Sequence, residues 1–261
     1  MSRALLVRAN NPSPMTLDGT NTWVLRGTDH SRAIVVDPGP DDPQHLQAIL
    51  EASGPAGVGL ILLTHGHADH AEAAVSFAEM AKAHVRAIEP RRCEDAQPLR
   101  HLEILDVDGL RIEVIATPGH TADSACFIVS EDRALLTGDT ILGLGSTVVA
   151  HPDGRLADYL DSLRVLRALV EERQLVAVLP GHGPSREDPA ALIDEYLAHR
   201  EERLDQVRTA LANGASTADD VVNAVYGDVD EGVKFAARWS VLAQLEYLGV
   251  TSPGETGPRR P

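Results

Sequence analysis

The stretch that decides the fold is "LLTHGHADHAEA", residues 62 to 73, which places three histidines and an aspartate within six positions. It follows an apolar run and leads into a pattern typical of a helix, so these polar side chains fall where a strand gives way to a helix. Imidazole and carboxylate side chains are typical metal ligands, and here they are His65, His67, Asp69 and His70. The alternative interpretation of this stretch alone is a solvated, histidine-rich loop.

Three further candidate ligands follow β-type runs later in the chain. His120 lies in "ATPGHT", Asp139 in "LLTGDT" and His182 in "LPGHG". Each is flanked by glycine, which lets the backbone turn sharply and present the side chain. Because strand ends at one edge of a sandwich converge, all seven side chains are expected to meet in one cleft.

The seven side chains divide into two groups of three and a bridge. The first group, expected to hold one metal, consists of His65, His67 and His120. The second group, expected to hold another, consists of Asp69, His70 and His182. Asp139 has two carboxylate oxygens and is expected to contact both ions. Such ligands suit Zn²⁺, and the same set also accepts Mn²⁺ or Fe²⁺. We therefore predict two zinc ions.

The order of strand-like and helix-like runs predicts an α/β fold. Seven short β-type runs occupy the first 140 residues, with helical patterns at 43–53 and 71–83, and a further amphipathic helix is expected at 159–173. This mixed order favours two mixed sheets inside and helices outside. The catalytic domain is assigned to residues 1–212.

The character of the chain changes after the long helix that begins at Pro189. Residues 213–250 are expected to form a small helical or winged-helix domain, and the Pro/Gly-rich residues 251–261 a disordered tail. The segment 213–250 contains six carboxylates and two cations, which disfavours binding of duplex DNA. It is expected to cover the cleft or to form a homodimer contact.

Composition excludes several classes of function. The formal charge of −16 over 261 residues opposes a general electrostatic grip on nucleic acid or an anionic membrane. The first residues lack the apolar segment of a signal peptide, and no run reaches the ~18 apolar residues of a membrane span. Two widely spaced cysteines do not suggest a disulfide framework. The expected location is the cytoplasm.

The motifs "THGHADH", "TPGHT", "TGDT" and "PGHG" together resemble those of the metallo-β-lactamase superfamily. The resemblance implies an αββα sandwich with a two-metal site at its edge. Asp37 in "VVDPG" matches the aspartate that supports the histidine-rich loop in that family, although a plain turn residue also fits. True β-lactamases generally have cysteine at the bridging position, where this chain has Asp139. Di-iron flavoproteins usually have an acidic residue in place of His67.

A closer resemblance links several segments to one subgroup, which contains the mitochondrial β-lactamase-like endoribonuclease and bacterial hydrolases with a terminal winged helix. These segments are 11–25, 138–149, 159–166, 180–184 and 196–207. Two pairs of residues in them are substrate-site candidates. Thr20 and Asn21 are expected at the cleft floor, with turn chemistry as the alternative. His199 and Arg200 are expected to reach the substrate, with a solvated helix face as the alternative.

The predicted function is that of a binuclear hydrolase in which Asp69 and Asp139 are catalytic. Asp69 is expected to orient the nucleophile and help protonate the leaving group. The subgroup resemblance favours a phosphodiesterase acting on single-stranded RNA. A glyoxalase II-like thioester hydrolase or lactonase is the alternative, because such enzymes use the same seven ligands. A non-catalytic metal-binding module is the third interpretation.

Overall fold

Two mixed β-sheets packed face to face form the centre of the fold. The computed structural model describes residues 4–27, 30–227 and 234–250. In both sheets, neighbouring strands follow one another in chain order. The first sheet contains β1 (Ala4–Arg8), β2 (Asn21–Leu25), β3 (Ala33–Val36), β4 (Val58–Leu62) and β5 (His84–Arg86). The second contains β6 (Ile104–Val107), β7 (Leu110–Ala116), β8 (Ala125–Val129), β9 (Ala134–Gly138), β10 (Ala177–Pro180) and β11 (Arg186–Glu187).

Helices cover the outer face of each sheet, so the layers are helix, sheet, sheet and helix. The helices are α1 (Pro43–Ser53), α2 (Ala68–Ala71), α3 (Ala74–Ala81), α4 (Leu156–Glu172), α5 (Pro189–Ala212), α6 (Ala218–Val225) and α7 (Lys234–Tyr247). Apolar side chains of α1 and α3 pack on the first sheet, and those of α4 and α5 pack on the second. The predicted αββα class is confirmed.

The central strands are apolar throughout because both of their faces are buried. In β3, Ile34 and Val36 point into the core between the sheets, whereas Ala33 and Val35 join the cluster under the helices. A strand covered on both faces reads as a continuous apolar run instead of an alternating one. The run "AIVVDPG" therefore ends at the sheet edge, where Asp37 is the first polar residue.

The helix expected at 71–83 is interrupted in the structure. Ala73, between α2 and α3, donates its backbone N–H to the carbonyl of Gly39 at 3.0 Å. This bond replaces the i−4 bond of a continuous helix. As a result, α2 is a separate turn that carries Asp69 and His70.

The C-terminal segment packs on the catalytic layers through α5. Val207 of α5 shares an apolar cluster with Val221 of α6 and Val241 of α7, and Arg155 pairs with Glu246 at 3.5 Å. Thr217 starts α6 with a capping box, which satisfies backbone donors at the helix N-terminus. The helical character expected of the C-terminal segment is confirmed by α6 and α7. The winged-helix topology and the domain boundary at residue 213 stay predictions.

Two other expectations concern the chain ends and the surroundings of the protein. The predicted disordered tail at 251–261 lies outside the described residues. Among the helices that the structure describes, none is long and apolar enough to cross a membrane. The cytoplasmic location and the homodimer contact stay predictions.

Candidate metal centre

The seven predicted side chains come together where four strands end. They are carried by the segments that follow β4, β7, β9 and β10. Around them the backbone is packed closely: a Cβ at Gly181 would lie 2.6 Å from Asp139 Oδ1 and 2.7 Å from His70 Cε1. Glycine is therefore required beside His182 for the two halves of the site to approach each other.

The first group consists of three imidazole rings. His67 Nδ1 lies 3.0 Å from His65 Nε2 and 3.1 Å from His120 Nε2. Zinc–nitrogen bonds of 2.0–2.1 Å place the nitrogens of a tetrahedral site about 3.3 Å apart. The three nitrogens thus have separations close to those of ligands that share one ion.

The second group combines two imidazoles with a carboxylate. His70 Nε2 lies 3.2 Å from His182 Nε2, and Asp69 Oδ2 lies 3.1 Å from His182 Nε2. The Asp69 side chain is 29% exposed, more than the 12% of Asp139. Of these two carboxylates, Asp69 is the one that solvent or a substrate reaches more easily.

Asp139 lies between the two groups. Its Oδ1 is 3.4 Å from His70 Nε2, while its Oδ2 is 3.4 Å from His182 Nε2 and 3.8 Å from His120 Nε2. Oδ1 is buried and has no hydrogen-bond partner among the described residues. A buried carboxylate oxygen without a donor calls for a cation. The position and chemistry of Asp139 fit a bridge between two ions.

The outward nitrogens of His65, His120 and His182 are held by hydrogen bonds, which turns the inward ones toward the other candidate ligands. His120 Nδ1 donates to the carbonyl of Val148 at 2.6 Å, and His182 Nδ1 donates to that of Gly19 at 3.3 Å. His65 Nδ1 donates to Thr64 Oγ1 at 3.0 Å. When such a ring is neutral, its outer nitrogen carries the proton and the inner one presents a lone pair. Such convergence suits divalent metal ions.

Asp37 supports this arrangement from behind. It accepts hydrogen bonds from His70 Nδ1 at 2.8 Å, from Thr64 N at 2.7 Å and from Thr64 Oγ1 at 2.7 Å. The Thr64 hydroxyl donates its only proton to Asp37, so its oxygen can accept a hydrogen bond from His65 Nδ1. One buried carboxylate thereby orients a ring of each group.

The electrostatic environments of the two groups differ. Burial holds the pKa of His65 and His120 below the ordinary value, so both rings are neutral at pH 7. Burial also opposes charge on His182, but Asp139 and Asp69 outweigh it and raise its pKa to about 9. For His70, Asp139 and Asp37 overcome burial in the same way and raise the pKa well above its usual range. The second group therefore favours positive charge.

The loop at 139–149 is anchored by side chains from α4 and α5. Tyr159 donates its hydroxyl to the carbonyl of Thr140 at 2.7 Å, and Tyr196 accepts from Leu142 N at 2.9 Å. Arg200, which is buried, donates to the carbonyl of Thr147. The next carbonyl in the chain is the one that accepts from His120, so helix α5 helps to place a candidate ligand.

Thr20 and Asn21 hold the segment that carries His182. Both are buried, and the Asn21 amide donates to the carbonyls of Pro180 and Gly183 at 3.0 and 2.8 Å. Thr20 forms a β-bridge with His182. The structure thus places the two residues in contacts that orient a candidate ligand.

Two adjoining cavities border the centre. The inner one, of about 160 Å³, is lined by His120 and Asp139 and by mainly apolar residues: Pro14, Met15, Leu17, Leu142, Leu144, Gly145, Ser146, Thr147 and Val148. The outer one, of about 320 Å³, shares Pro14, Met15 and residues 146–148 with it and extends to His199, Arg200, Arg203, Tyr226, Ala236, Ala237 and Ser240. His199 and Arg200 therefore lie at the outer cavity.

Three contributors to the site were not expected from the sequence. Thr64 and the carbonyl of Val148 act through hydrogen bonds that depend on the fold. Arg203 lines the outer cavity, and its Nε donates to His199 Nε2 at 3.3 Å. Its spacing of four residues from His199, on one face of a helix, is the signal that could have identified it.

Known proteins resemble this chain in both sequence and structure. Residues 15–182 match the family described as the metallo-beta-lactamase superfamily. The beta-lactamase-like protein 2 homolog of Caenorhabditis elegans is 34% identical over 93% of this chain and 82% of its own length. The atrochrysone carboxyl ACP thioesterase of Passalora fulva is 32% identical over 86% of this chain and 68% of its own length. A crystal structure of a metallo-beta-lactamase family protein from Thermus thermophilus superposes with a TM-score of 0.79 at 25% identity, covering 95% of this chain and 93% of that one.

Proposed function

Because the chain belongs to the metallo-beta-lactamase superfamily and is a metal-dependent hydrolase, we propose that it is a binuclear zinc enzyme that hydrolyses acyl thioesters. The observation that carries the proposal is the apolar inner cavity, whose wall includes His120 and Asp139. An acyl or alkyl group held there would have its neighbouring carbonyl beside the candidate metal ligands. Apolar walls with a few convergent polar groups are typical of small-molecule sites.

The two groups would hold one ion each, with Asp139 shared between them. Two divalent ions in such a site supply a water nucleophile at neutral pH and positive charge for the oxyanion. Hydrogen bonds from His182 and the charge of His70 outweigh burial and lower the pKa of Asp69, so Asp69 is a carboxylate at neutral pH. Asp69 can accept a hydrogen bond from the attacking water and orient it. As the carbon–sulfur bond breaks, Asp69 can pass the proton from that water to the departing thiolate.

A thioester fits the inner cavity better than a polynucleotide does. Among the described residues, none that lines the inner cavity is phenylalanine, tyrosine, tryptophan, lysine or arginine. Proteins that bind single strands usually combine a basic groove with stacking aromatic side chains. The charge of −16 also opposes phosphate contacts. In addition, the Passalora fulva relative carries the name of an ACP thioesterase.

Cleavage of single-stranded RNA is the second candidate. It is supported by the resemblance of five segments to the subgroup that contains the mitochondrial β-lactamase-like endoribonuclease. Two of those segments, 138–149 and 196–207, form the anchored loop and part of α5 beside the cavities. Two of the resembling segments thus border the proposed substrate site.

A comparison of two substrates on metal-loaded protein tests the proposal. S-butanoyl-N-acetylcysteamine represents a thioester, and a labelled oligonucleotide represents single-stranded RNA. We expect wild type to hydrolyse the thioester and His67→Ala to lose this activity. His84→Ala, which removes an exposed histidine on β5, is the matched control and should behave like wild type. Efficient RNA cleavage without thioester turnover would instead support the second candidate.

A further inference from the structure

The outer cavity differs in charge from the protein as a whole. Its lining includes Arg200, Arg203 and His199, and among the residues that the structure describes no aspartate or glutamate lines it. This is unusual for a chain that has 39 acidic residues against 23 lysines and arginines. Two arginines in the wall of one cavity attract an anion.

Two buried donors at this cavity have no hydrogen-bond partner among the described residues. They are Arg200 Nε and His199 Nδ1. His199 Nε2 accepts from Arg203 Nε, so the proton of the neutral ring is on Nδ1. Burial, with the charges of Arg200 and Arg203, lowers the pKa of His199 and keeps it in this neutral form. Both unpaired groups are donors, and donors call for an acceptor.

The contacts of the Arg203 guanidinium suit anion binding, whereas those of the neighbouring Arg208 do not. Its guanidinium lies 5.2 Å from the centroid of the Tyr226 ring, and Nη1 donates to Gln206 at 2.7 Å. No carboxylate lies within ion-pair distance of it in the described part of the chain. Arg208, one turn further along α5, contacts both Glu201 and Asp205. Arg203 is therefore oriented by neutral groups while its charge is left uncompensated.

We propose that the outer cavity binds an anionic group of the substrate, a phosphate or a carboxylate, with Arg203 as the residue that determines specificity. The inference rests on the proposed thioester activity and names the substrate class as anionic thioesters. The outer cavity adjoins the inner one through Pro14, Met15 and residues 146–148. A substrate whose reacting carbonyl lies at the inner cavity can therefore extend its charged end to Arg203.

Two pairs of thioesters distinguish the source of the anion. S-butanoyl-4′-phosphopantetheine and S-butanoylpantetheine differ only in a phosphate on the thiol side. S-succinyl- and S-butanoyl-N-acetylcysteamine differ by a carboxylate on the acyl side. We expect the charged member of one pair to have a KM roughly tenfold lower, as one charge-assisted hydrogen bond provides. Equal KM values within both pairs would overturn the proposal.

Variants of α5 link that preference to the cavity. Arg203→Gln should bring the KM ratio of the preferred pair close to one, and Arg203→Lys should restore part of it. Arg208→Gln, on the same helix but outside the cavity lining, is the matched control and should keep the wild-type ratio. A ratio that survives in Arg203→Gln would contradict the assignment of Arg203.

Direct binding separates a failure of this inference from a failure of the proposed activity. If wild type hydrolyses none of the four thioesters, the activity is wrong, and calorimetry with 4′-phosphopantetheine, pantetheine, succinate and butanoate decides the anion site. Tighter binding of the charged member of either pair by wild type, lost in Arg203→Gln, supports the site. Equal binding within both pairs overturns it.

Discussion

The two halves of the candidate metal centre contain three side chains each but are held in different ways. The first group, His65, His67 and His120, consists of rings alone, and the outer nitrogen of His120 is held by a backbone carbonyl. The second group, Asp69, His70 and His182, includes a carboxylate and has Asp37 directly behind His70. One half thus depends on neutral partners and the other on negative charge.

This difference predicts which of the two groups binds its metal ion more tightly. Carboxylates compensate the charge of an ion and increase the basicity of the imidazoles that bind it. The second group should therefore bind its ion more tightly than the first. The first group adjoins the inner cavity through His120 and includes the exposed His67. We expect a substrate to approach this half, which should also lose its ion first on chelation.

Replacing the shared residue should have the largest effect. Asp139 contacts side chains of both groups, whereas Asp69 belongs to one. Loss of a supporting carboxylate outside the ligand set typically costs about 10–100-fold, so Asp139→Asn should lower kcat/KM by more than about 100-fold. Asp69→Ala should cost less. Steady-state kinetics with metal analysis checks this, and equal losses in two variants that retain both metals would rule out the bridge.

Asp37→Asn should weaken the second group selectively. The amide cannot accept from His70 as strongly as a carboxylate does, and an affinity loss of about 10–100-fold is expected for that ion. The first ion should be affected less, because Asp37 reaches its ligands only through Thr64. Competition titrations with a chromophoric chelator measure both constants. Equal losses of affinity for the two ions would show that the two groups are not independent.

The pH dependence of metal binding should also differ between the halves. The pKa of His182 is raised to about 9, so its proton must leave when an ion binds near pH 7.5. His65 and His120, whose pKa is lowered by burial, have no proton to release. Because the pKa of His70 is raised as well, calorimetry in buffers of different ionisation enthalpy should detect release of about two protons for the tighter ion and almost none for the weaker one.

The raised pKa of His182 also makes the stability of the metal-free protein depend on pH. A raised pKa in the folded state means that protonated His182 stabilises the fold fully below about pH 6.5, its ordinary pKa, and that this contribution is lost as the pH rises through about 9. Chelator-treated protein should therefore melt at a lower temperature at pH 9.5 than at pH 6.5. A melting temperature that rises over this range would contradict the assignment.

Arg200→Lys should have the smallest effect, confined to the first group. Lysine keeps the charge but loses the planar fork that reaches the carbonyl of Thr147. One hydrogen bond is worth about 1 kcal/mol, so affinity for the weaker ion should fall roughly fivefold. Arg164→Lys, on the exposed face of α4, is the matched control. A change in the affinity for the tighter ion alone would show that α5 does not act through His120.

The convergence of the candidate ligands and the layers of the fold could be predicted from the sequence because their signals are local. His65, His67, Asp69 and His70 stand in one short motif, and the continuous apolar runs mark strands buried on both faces. The short strand β5 lacks such a run, and β11 has only two residues. The break at Ala73 depends on Gly39, and the role of Thr64 depends on Asp37. Such features arise from contacts between distant segments.

An anomalous-difference map at the zinc edge, from crystals of zinc-loaded protein, tests the two-metal centre most directly. We expect two peaks, one among His65, His67 and His120 and one among Asp69, His70 and His182, with Asp139 in contact with both. After brief chelation, the peak at the first group should weaken first. A single peak or none in fully loaded crystals would contradict the binuclear centre, as would two peaks without Asp139 between them.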